Sequence, residues 1–226
     1  NYVMLETGQP LHFYDADTLQ DVIEVRMAKS GEKLTTLDGK ERTLSEEDIV
    51  ISDGKKAIGL AGVMGGYDTE ITDKTKNVLI EAAIFDGVKI RKTSKEILRS
   101  EASSRFEKGL DPNRTYMAIE RACKLLEEYA DGEVVGGICK FDKSDLSNWE
   151  IEIAFKNIND VLGMEISKKD VLDVFRKLAF DVIVNGKKSE FKETEKDLEN
   201  VEKIIVSVPR RRGDISIKED LIEEVG

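Results

Sequence analysis

The chain has 226 residues, of which 40% are hydrophobic, enough for one large domain or two smaller ones with real cores. Its 46 acidic residues outnumber the 35 basic ones and give a formal net charge of −11, which excludes indiscriminate binding to nucleic-acid phosphates. No apolar run approaches the ~18 residues of a membrane helix, and two cysteines are too few for a zinc site or a disulfide framework, as expected of a cytoplasmic protein.

The first half of the chain predicts strands and hairpins followed by helices. Residues 8–15 are expected to be a turn-rich entry, and alternation over 22–28 favours a half-buried strand. Two Asp-Gly pairs, at 38–39 and 53–54, each separate two strand-like runs and predict two tight hairpins. Helices are expected over 86–98 and 117–130, the second with an N-cap at Asp111, a proline at the first helical position and a buried stripe that ends at Tyr129.

The pattern lapses near 141–148 into charged and turn-forming residues, which predicts a domain boundary. We therefore expect one domain over 1–146 and a smaller α+β domain over 147–226. In the second, Ser167 and Asp170 form the signature of a helix cap, and the mostly charged segment 185–203 is expected to be a long wing or loop. A last helix starts near Lys218, and we expect the chain to be a fragment that cuts this helix short.

A glycine-rich stretch over 59–66 exposes main-chain N–H groups that something small can approach closely. Glu81 stands at the end of a nearby apolar run, so a glycine wall and one placed acid together predict a pocket. The alternative is a strand and turn whose glycines serve bulges or close packing. Neither the P-loop pattern nor GxGxxG is present.

Two charged groups carry further hypotheses. Asp220, Glu223 and Glu224 share one face of the last helix, and Asp214 lies just ahead of it. Such carboxylates either bind a cation or simply favour a helix start. The basic segment 89–108 is the best local candidate for an RNA contact, or else a solvated helix face.

A series of motifs in order along nearly the whole chain resembles the beta subunit of bacterial-type phenylalanyl-tRNA synthetase. The motifs are NYVMLE at 1–6, GQPLH at 8–12, GEKLTTLDG at 31–39, LAGVMGG at 60–66, LIEAA at 79–83, EASSRFEKGLDP at 101–112, and DI at 214–215 with EDLIEEV at 219–225.

The resemblance implies an α+β fold, in which a mixed α/β tRNA-editing domain precedes a small helix-and-strand, winged-helix-like domain. The editing domain is implied to hydrolyse tyrosine mischarged onto tRNA-Phe, and the ligation itself to belong to an alpha subunit within an ATP-binding alpha2beta2 holoenzyme. The implied site residues are His12, Gly65, Gly66, Glu81 and Ser100 as the catalytic set, with Asn1, Glu81 and Ala102 binding substrate. Ser100 stands where the family has threonine.

The physical reading agrees, because tyrosine and phenylalanine differ by one phenolic hydroxyl and Glu81 is suited to accept its proton. No nucleophile pattern is evident, so we expect direct attack by a positioned water and no cofactor for editing. The resemblance also implies a Mg2+ ion shared with the alpha subunit at Asp214, Asp220, Glu223 and Glu224. Arg210 and Arg211 depart from the family and are expected to make this tip unusually basic. The alternative function is a non-catalytic RNA-binding or subunit-assembly module.

Overall fold

The computed structural model describes residues 1–226, which divide into two compact units, Asn1–Asp142 and Lys143–Gly226. Helices and antiparallel sheets alternate irregularly in both, which confirms the α+β class. None of the helices has the length and apolar character needed to cross a membrane.

The first unit contains four helices and eight strands. In chain order they are α1 (Tyr2–Thr7), β1 (Leu11–Asp15), β2 (Glu24–Met27), β3 (Lys33–Thr35), β4 (Glu41–Thr43), β5 (Ile49–Ser52), β6 (Ala57–Leu60), β7 (Met64–Gly65), β8 (Val78–Ala82), α2 (Gly87–Glu96), α3 (Glu101–Phe106) and α4 (Arg114–Tyr129).

These strands form three separate antiparallel sheets. One has four strands in the order β2-β5-β6-β7, and two are ribbons, β1-β8 and β3-β4. Both predicted Asp-Gly hairpins are present as β3-β4 and β5-β6, and their turn glycines Gly39 and Gly54 have φ of 74° and 87°. Glycine adopts such positive φ values without the steric cost that other residues incur, so the turns form where the sequence predicts them.

The core of the first unit packs α2 and α3 onto the four-stranded sheet. Val50, Leu60, Ile90 and Phe106 are all buried there in one apolar cluster. Gly62 permits this approach, because a Cβ at its position would lie 2.9 Å from Cδ2 of Phe106. The glycine-rich stretch is therefore packed beneath the two helices.

Three expectations for the first unit are wrong in detail. Helix α4 begins at Arg114 with Asn113 as its N-cap, because the Asp111 carboxylate accepts the N–H of Asn113 and holds a turn there instead. Tyr129 is 76% exposed and lies outside the buried stripe. Strand β2 is mostly exposed, since it is an edge strand.

The second unit builds one antiparallel sheet in the order β11-β10-β12-β9 with four helices. Its elements are β9 (Trp149–Ala154), α5 (Phe155–Leu162), α6 (Lys168–Lys177), β10 (Asp181–Val184), β11 (Lys187–Lys188), α7 (Glu195–Leu198), β12 (Lys203–Val208) and α8 (Lys218–Val225). The Ser167 hydroxyl accepts the N–H of Asp170 and caps α6, as predicted. The segment expected to be a wing or loop contains β11, which pairs with β10. It also contains the short helix α7, which starts at a capping box formed by Thr194 and Asp197.

Candidate functional site

The site is built on the β1-β8 ribbon, whose antiparallel register places His12 directly opposite Glu81. Successive side chains of a strand point to opposite faces. His12, Tyr14 and Glu81 therefore share one face, while Leu11, Phe13 and Ile80 share the other and pack with Val3 of α1 and Ala118, Ala122 and Leu125 of α4. The apolar face fixes the ribbon on the helices, and the polar face is left for chemistry.

Glu81 is held by a tyrosine of the chain itself. The Tyr14 hydroxyl donates a hydrogen bond of 2.5 Å to Oε2 of Glu81, and Tyr14 is only 1% exposed. Burial raises the pKa of Glu81, and the bond from Tyr14 opposes that rise. Burial and the neighbouring carboxylate raise the pKa of Tyr14, so the phenol keeps its proton and acts as the donor. Oε1 of Glu81 receives no hydrogen bond.

His12 lies directly against the glycine wall. A Cβ on Gly65 would lie 2.1 Å from Cε1 and 2.3 Å from Nε2 of His12, so only glycine fits beneath this ring. The ring meets Tyr14 edge-on at a centroid distance of 4.4 Å. Burial lowers the pKa of His12 to about 4, which leaves the imidazole neutral at pH 7. Its Nε2 is buried and has no hydrogen-bond partner.

A pocket opens beside these groups, and we call it the ribbon pocket. It is lined by β1, β8, the β6-β7 connection and α3, with His12, Tyr14, Gly65, Glu81 and Ala102 on its wall. Its volume is about 70 Å³, whereas a cavity of about 150 Å³ is known to admit a benzene ring. A substrate ring can enter only if a wall side chain moves, and the His12 ring is the group that lies over the glycine backbone.

Four of the predicted site residues thus meet in one place, and three do not. Gly66 lines a different pocket, and its N–H is donated to the carbonyl oxygen of Ile58 at 2.7 Å, so it is not free to bind a substrate oxygen. Asn1 is exposed ahead of α1 and does not line the ribbon pocket.

Ser100 is also absent from the pocket wall and is the N-cap of α3. Its Oγ accepts the N–H of Ser103 at 3.1 Å and donates to the carbonyl oxygen of Val63 at 2.8 Å. The first bond caps α3, and the second ties the start of α3 to the glycine-rich stretch. Ser100 therefore positions Ala102 over the pocket through the backbone of α3.

The pocket that Gly66 lines is the larger of the two, with a volume of about 160 Å³. Its rim carries the ion pairs Lys33–Glu41 and Lys56–Asp68, and neither His12 nor Glu81 reaches it. Exposed ion pairs of this kind contribute little energy. We place the candidate site in the smaller ribbon pocket, because the unpaired Nε2 and the free carboxylate oxygen both belong to it.

Sequence reasoning missed Tyr14. Residues 8–15 are expected from the sequence to be a turn-rich entry, whereas they include β1. Had β1 been recognised as a strand, the two-residue spacing from His12 would have placed Tyr14 on the same face. Only the pairing of β1 with β8 shows that Glu81 is the hydrogen-bond partner of the Tyr14 hydroxyl.

The four predicted metal ligands do not form a metal site within this chain. Arg212 binds Asp214 at 2.5 Å and Glu224 at 2.5 Å, and Asp220 accepts the N–H groups that precede α8. Glu223 is exposed. No three acidic, histidine or cysteine side chains are arranged to hold a metal ion, because Arg212 already neutralises two of the four acids. The arrangement as it stands does not fit Mg2+.

The arginine run makes a less basic tip than expected, because Arg210 and Arg212 pair with acids, whereas Arg211 is bonded only to carbonyl oxygens. The Arg210 guanidinium lies 5.0 Å from the centroid of the Trp149 ring and pairs with Asp145. Arg211 donates to the carbonyl oxygen of Leu178 at the end of α6. The pKa of Asp214 is lowered chiefly by its hydrogen bonds from Arg212.

The basic segment 89–108 spans α2 and α3, and several of its charges are paired. Arg99 binds Glu107 at 2.7 Å and Arg105 binds Glu101 at 2.8 Å. Arg91 and Lys95 form no ion pair. The segment keeps a smaller positive surface than its composition indicates, and an RNA contact there stays a prediction.

Comparison with known proteins gives two family matches that follow one another along the chain. The B3/4 domain family matches residues 1–131, and the tRNA synthetase B5 domain family matches residues 151–226. A phenylalanine–tRNA ligase beta subunit of Bacillus cereus is 46% identical over 228 residues, which cover 100% of this chain and 26% of the relative.

Other relatives agree with these matches. The beta subunit of Staphylococcus saprophyticus is 47% identical over 227 residues, covering 100% of this chain and 26% of the relative, and that of Bacillus subtilis is 43% identical over 226 residues, covering 99% and 26%. The chain thus spans about a quarter of the length of these relatives. An N-terminal fragment of the phenylalanyl-tRNA synthetase beta-subunit from Pyrococcus horikoshii has a TM-score of 0.43 at 17% identity, covering 99% of this chain and 62% of that one, a likeness too weak to support an argument.

Proposed function

We propose, on the premise that this chain belongs to the family of phenylalanine–tRNA ligase beta subunits, that its first unit hydrolyses tyrosine esterified to tRNA-Phe. One observation carries the proposal: the buried Nε2 of His12 has no hydrogen-bond partner and lies on the strand paired with that of Glu81, whose Oε2 is already bonded to Tyr14. Buried polar groups are normally hydrogen-bonded. A buried nitrogen without a partner, beside a glycine wall and a carboxylate, supports a ligand that bonds to both groups.

A tyrosyl ester fits these groups. The substrate phenol donates to Oε1 of Glu81, and Nε2 of His12 holds the attacking water or a hydroxyl of the terminal ribose. Water attacks the ester carbonyl carbon, the bond to the ribose oxygen breaks, and the products are free tyrosine and a tRNA with its terminal hydroxyl restored. An imidazole with a pKa of about 4 is a weak base, so His12 positions water more than it removes a proton.

The discrimination against phenylalanine is moderate in this arrangement. A site with a wholly unpaired acceptor rejects an analogue without the hydroxyl by up to ~10⁴ to 10⁵. Tyr14 already satisfies one oxygen of Glu81, so phenylalanine leaves only the other unpaired. Loss of one hydrogen bond to a charged group is worth about 1.5–3 kcal/mol, and we expect a roughly ten- to hundredfold preference for tyrosine.

The test is deacylation of Tyr-tRNA-Phe and Phe-tRNA-Phe by this chain. The tyrosyl ester should be hydrolysed faster, and Glu81→Gln should remove the difference. Glu46→Gln is the matched control, because Glu46 is exposed and undergoes the same change of charge. Equal rates for both esters would contradict tyrosine editing. No hydrolysis of either ester would favour the alternative, a non-catalytic RNA-binding or subunit-assembly module.

The proposal extends to the whole ligase. The attachment of phenylalanine, with its ATP and Mg2+, is assigned to the assembled enzyme and its alpha subunit, and the setting is the cytoplasm. The second unit is assigned to assembly. Mg2+ would reach Asp214 and Glu224 only if the alpha subunit displaced Arg212, since that guanidinium occupies both carboxylates in the isolated chain.

A further inference from the structure

Tyr14 is a buried phenol that the hydrolysis above does not use. Its side chain is 1% exposed, and its hydroxyl lies 2.5 Å from Oε2 of Glu81. Room for the hydroxyl exists because position 59 is a glycine, where a Cβ would lie 3.3 Å from the Tyr14 oxygen. A buried hydroxyl without a partner costs roughly 1–3 kcal/mol, so Tyr14 and Glu81 each satisfy the other.

No other polar side chain contacts the Glu81 carboxylate with a hydrogen bond. From β1 it faces Tyr14 and the neutral ring of His12. The remaining pocket wall, from the β6-β7 connection and α3, presents glycine and apolar side chains such as Ala102 and Phe106. The Tyr14 hydroxyl is therefore the single group that fixes which carboxylate oxygen is engaged.

We propose that Tyr14 is a positioning residue for substrate recognition, whose hydroxyl engages Oε2 of Glu81 and leaves Oε1 as the one acceptor offered to a substrate phenol. The identity of the substrate rests on the proposed function. The link between the Tyr14 and Glu81 side chains rests only on their geometry. Without this bond the carboxylate is free to turn about its last torsion. It also loses the only donor that stabilises its charged form, so it takes up a proton at higher pH.

The consequence is chemical as well as geometric. A protonated carboxyl carries an O–H donor in place of one acceptor oxygen. It then competes with the substrate phenol as a donor. Removal of the Tyr14 hydroxyl should therefore impair tyrosine recognition most at the acidic end of the pH range.

The test compares Tyr14→Phe with wild type, and Tyr67→Phe is the matched control because Tyr67 is 53% exposed and outside the ribbon pocket. The side-chain carboxyl of Glu81 is titrated by ¹³C NMR in this chain and assigned with Glu81→Gln. The midpoint should move to higher pH in Tyr14→Phe and stay unchanged in Tyr67→Phe. An unchanged midpoint in Tyr14→Phe would overturn the proposal.

Hydrolysis of Tyr-tRNA-Phe supplies the second readout. Tyr14→Phe should slow it roughly tenfold near neutral pH, the value of about one hydrogen bond, with the loss appearing as a higher KM and an acidic limb displaced to higher pH. If wild type hydrolyses Tyr-tRNA-Phe and Tyr14→Phe has the same rate and pH profile, the role of Tyr14 is refuted and the proposed function is unaffected. A wild-type chain without activity would refute the proposed function, and the carboxyl titration would still decide the link.

A second variant guards against misfolding of Tyr14→Phe. Gly59→Ala keeps every atom of Tyr14 but places a methyl group 3.3 Å from its oxygen. The hydroxyl must shift by a few tenths of an ångström, and the Glu81 midpoint should move in the same direction as in Tyr14→Phe. A shift in the opposite direction would contradict the proposal.

Discussion

The contact between His12 and Gly65 predicts that Gly65→Ala destabilises the first unit through one identifiable clash. The new methyl carbon would lie 2.1 Å from Cε1 of His12, more than 1 Å inside the 3.4 Å at which ordinary contact begins. Overpacking of this kind typically costs about 1–3 kcal/mol. The φ of Gly65 is not in the left-handed region, so the backbone itself accepts alanine.

The clash should disappear once the ring is removed. In a His12→Ala background, Gly65→Ala should be neutral or should stabilise by about 0.4–1 kcal/mol through the unfolded state. Urea unfolding of the four proteins in this cycle, followed by far-UV circular dichroism, measures the interaction energy. Trp149 is the only tryptophan and lies in the second unit, so its fluorescence transition should stay constant.

The control is Gly66→Ala, whose methyl carbon would lie 2.5 Å from the backbone oxygen of Ile58. The Ile58 carbonyl oxygen belongs to the backbone and cannot move aside as a side chain can, so the destabilisation by Gly66→Ala should be the same with and without His12. The reasoning is refuted if Gly65→Ala is equally destabilising with and without the imidazole ring.

Four further predictions concern the two units separately. Glu81→Ala should abolish the preferential removal of tyrosine, and an unchanged ratio of Tyr-tRNA-Phe to Phe-tRNA-Phe hydrolysis would contradict its role as acceptor. His12→Ala should slow tyrosine removal roughly tenfold, about one hydrogen bond. A thousandfold loss, together with a wild-type rate step near pH 4 that vanishes in the variant, would show instead that His12 is an obligatory base. Burial lowers the pKa of His12 to about 4 in the folded chain, so as pH falls below about 6.5 the unfolded chain binds a proton at His12 before the folded chain does. The free energy of unfolding of wild type should therefore decrease between about pH 6.5 and 4, and that of His12→Ala should not show this decrease. Calorimetry should detect no micromolar Mg2+ affinity in this chain, since Arg212 occupies Asp214 and Glu224, and tight binding would contradict that account.

Local chemistry made much of the fold predictable. The Asp-Gly turns and the cap at Ser167 depend on residues within a few positions of one another, and the structure has them where expected. Helices α1 and α3 were missed because six residues are too few to show a helical period.

The site was less accessible, because its decisive contacts join distant residues. Tyr14 and Glu81 are 67 positions apart, and their meeting depends on a strand pairing that composition does not reveal. Likewise, the acids near α8 looked free in sequence, and only the path of the loop before the helix shows that Arg212 reaches Glu224. Residue types predicted the candidates, and long-range pairing decided their partners.

The two faces of the β1-β8 ribbon link the chemistry to the folding of a helix that lies outside the pocket. A slip of one residue in the pairing would invert one strand relative to the other, so that either His12 or Glu81 would face α4 and no longer lie opposite the other in the pocket. The apolar contacts with α4 oppose such a slip, so the packing that buries the helix also sets which side chains face the pocket. Substitutions that weaken the packing of Ala118 or Ala122 would then impair the hydrolysis proposed for the ribbon pocket from outside it. They would leave every pocket residue in place and lower the fraction of molecules whose ribbon is correctly aligned.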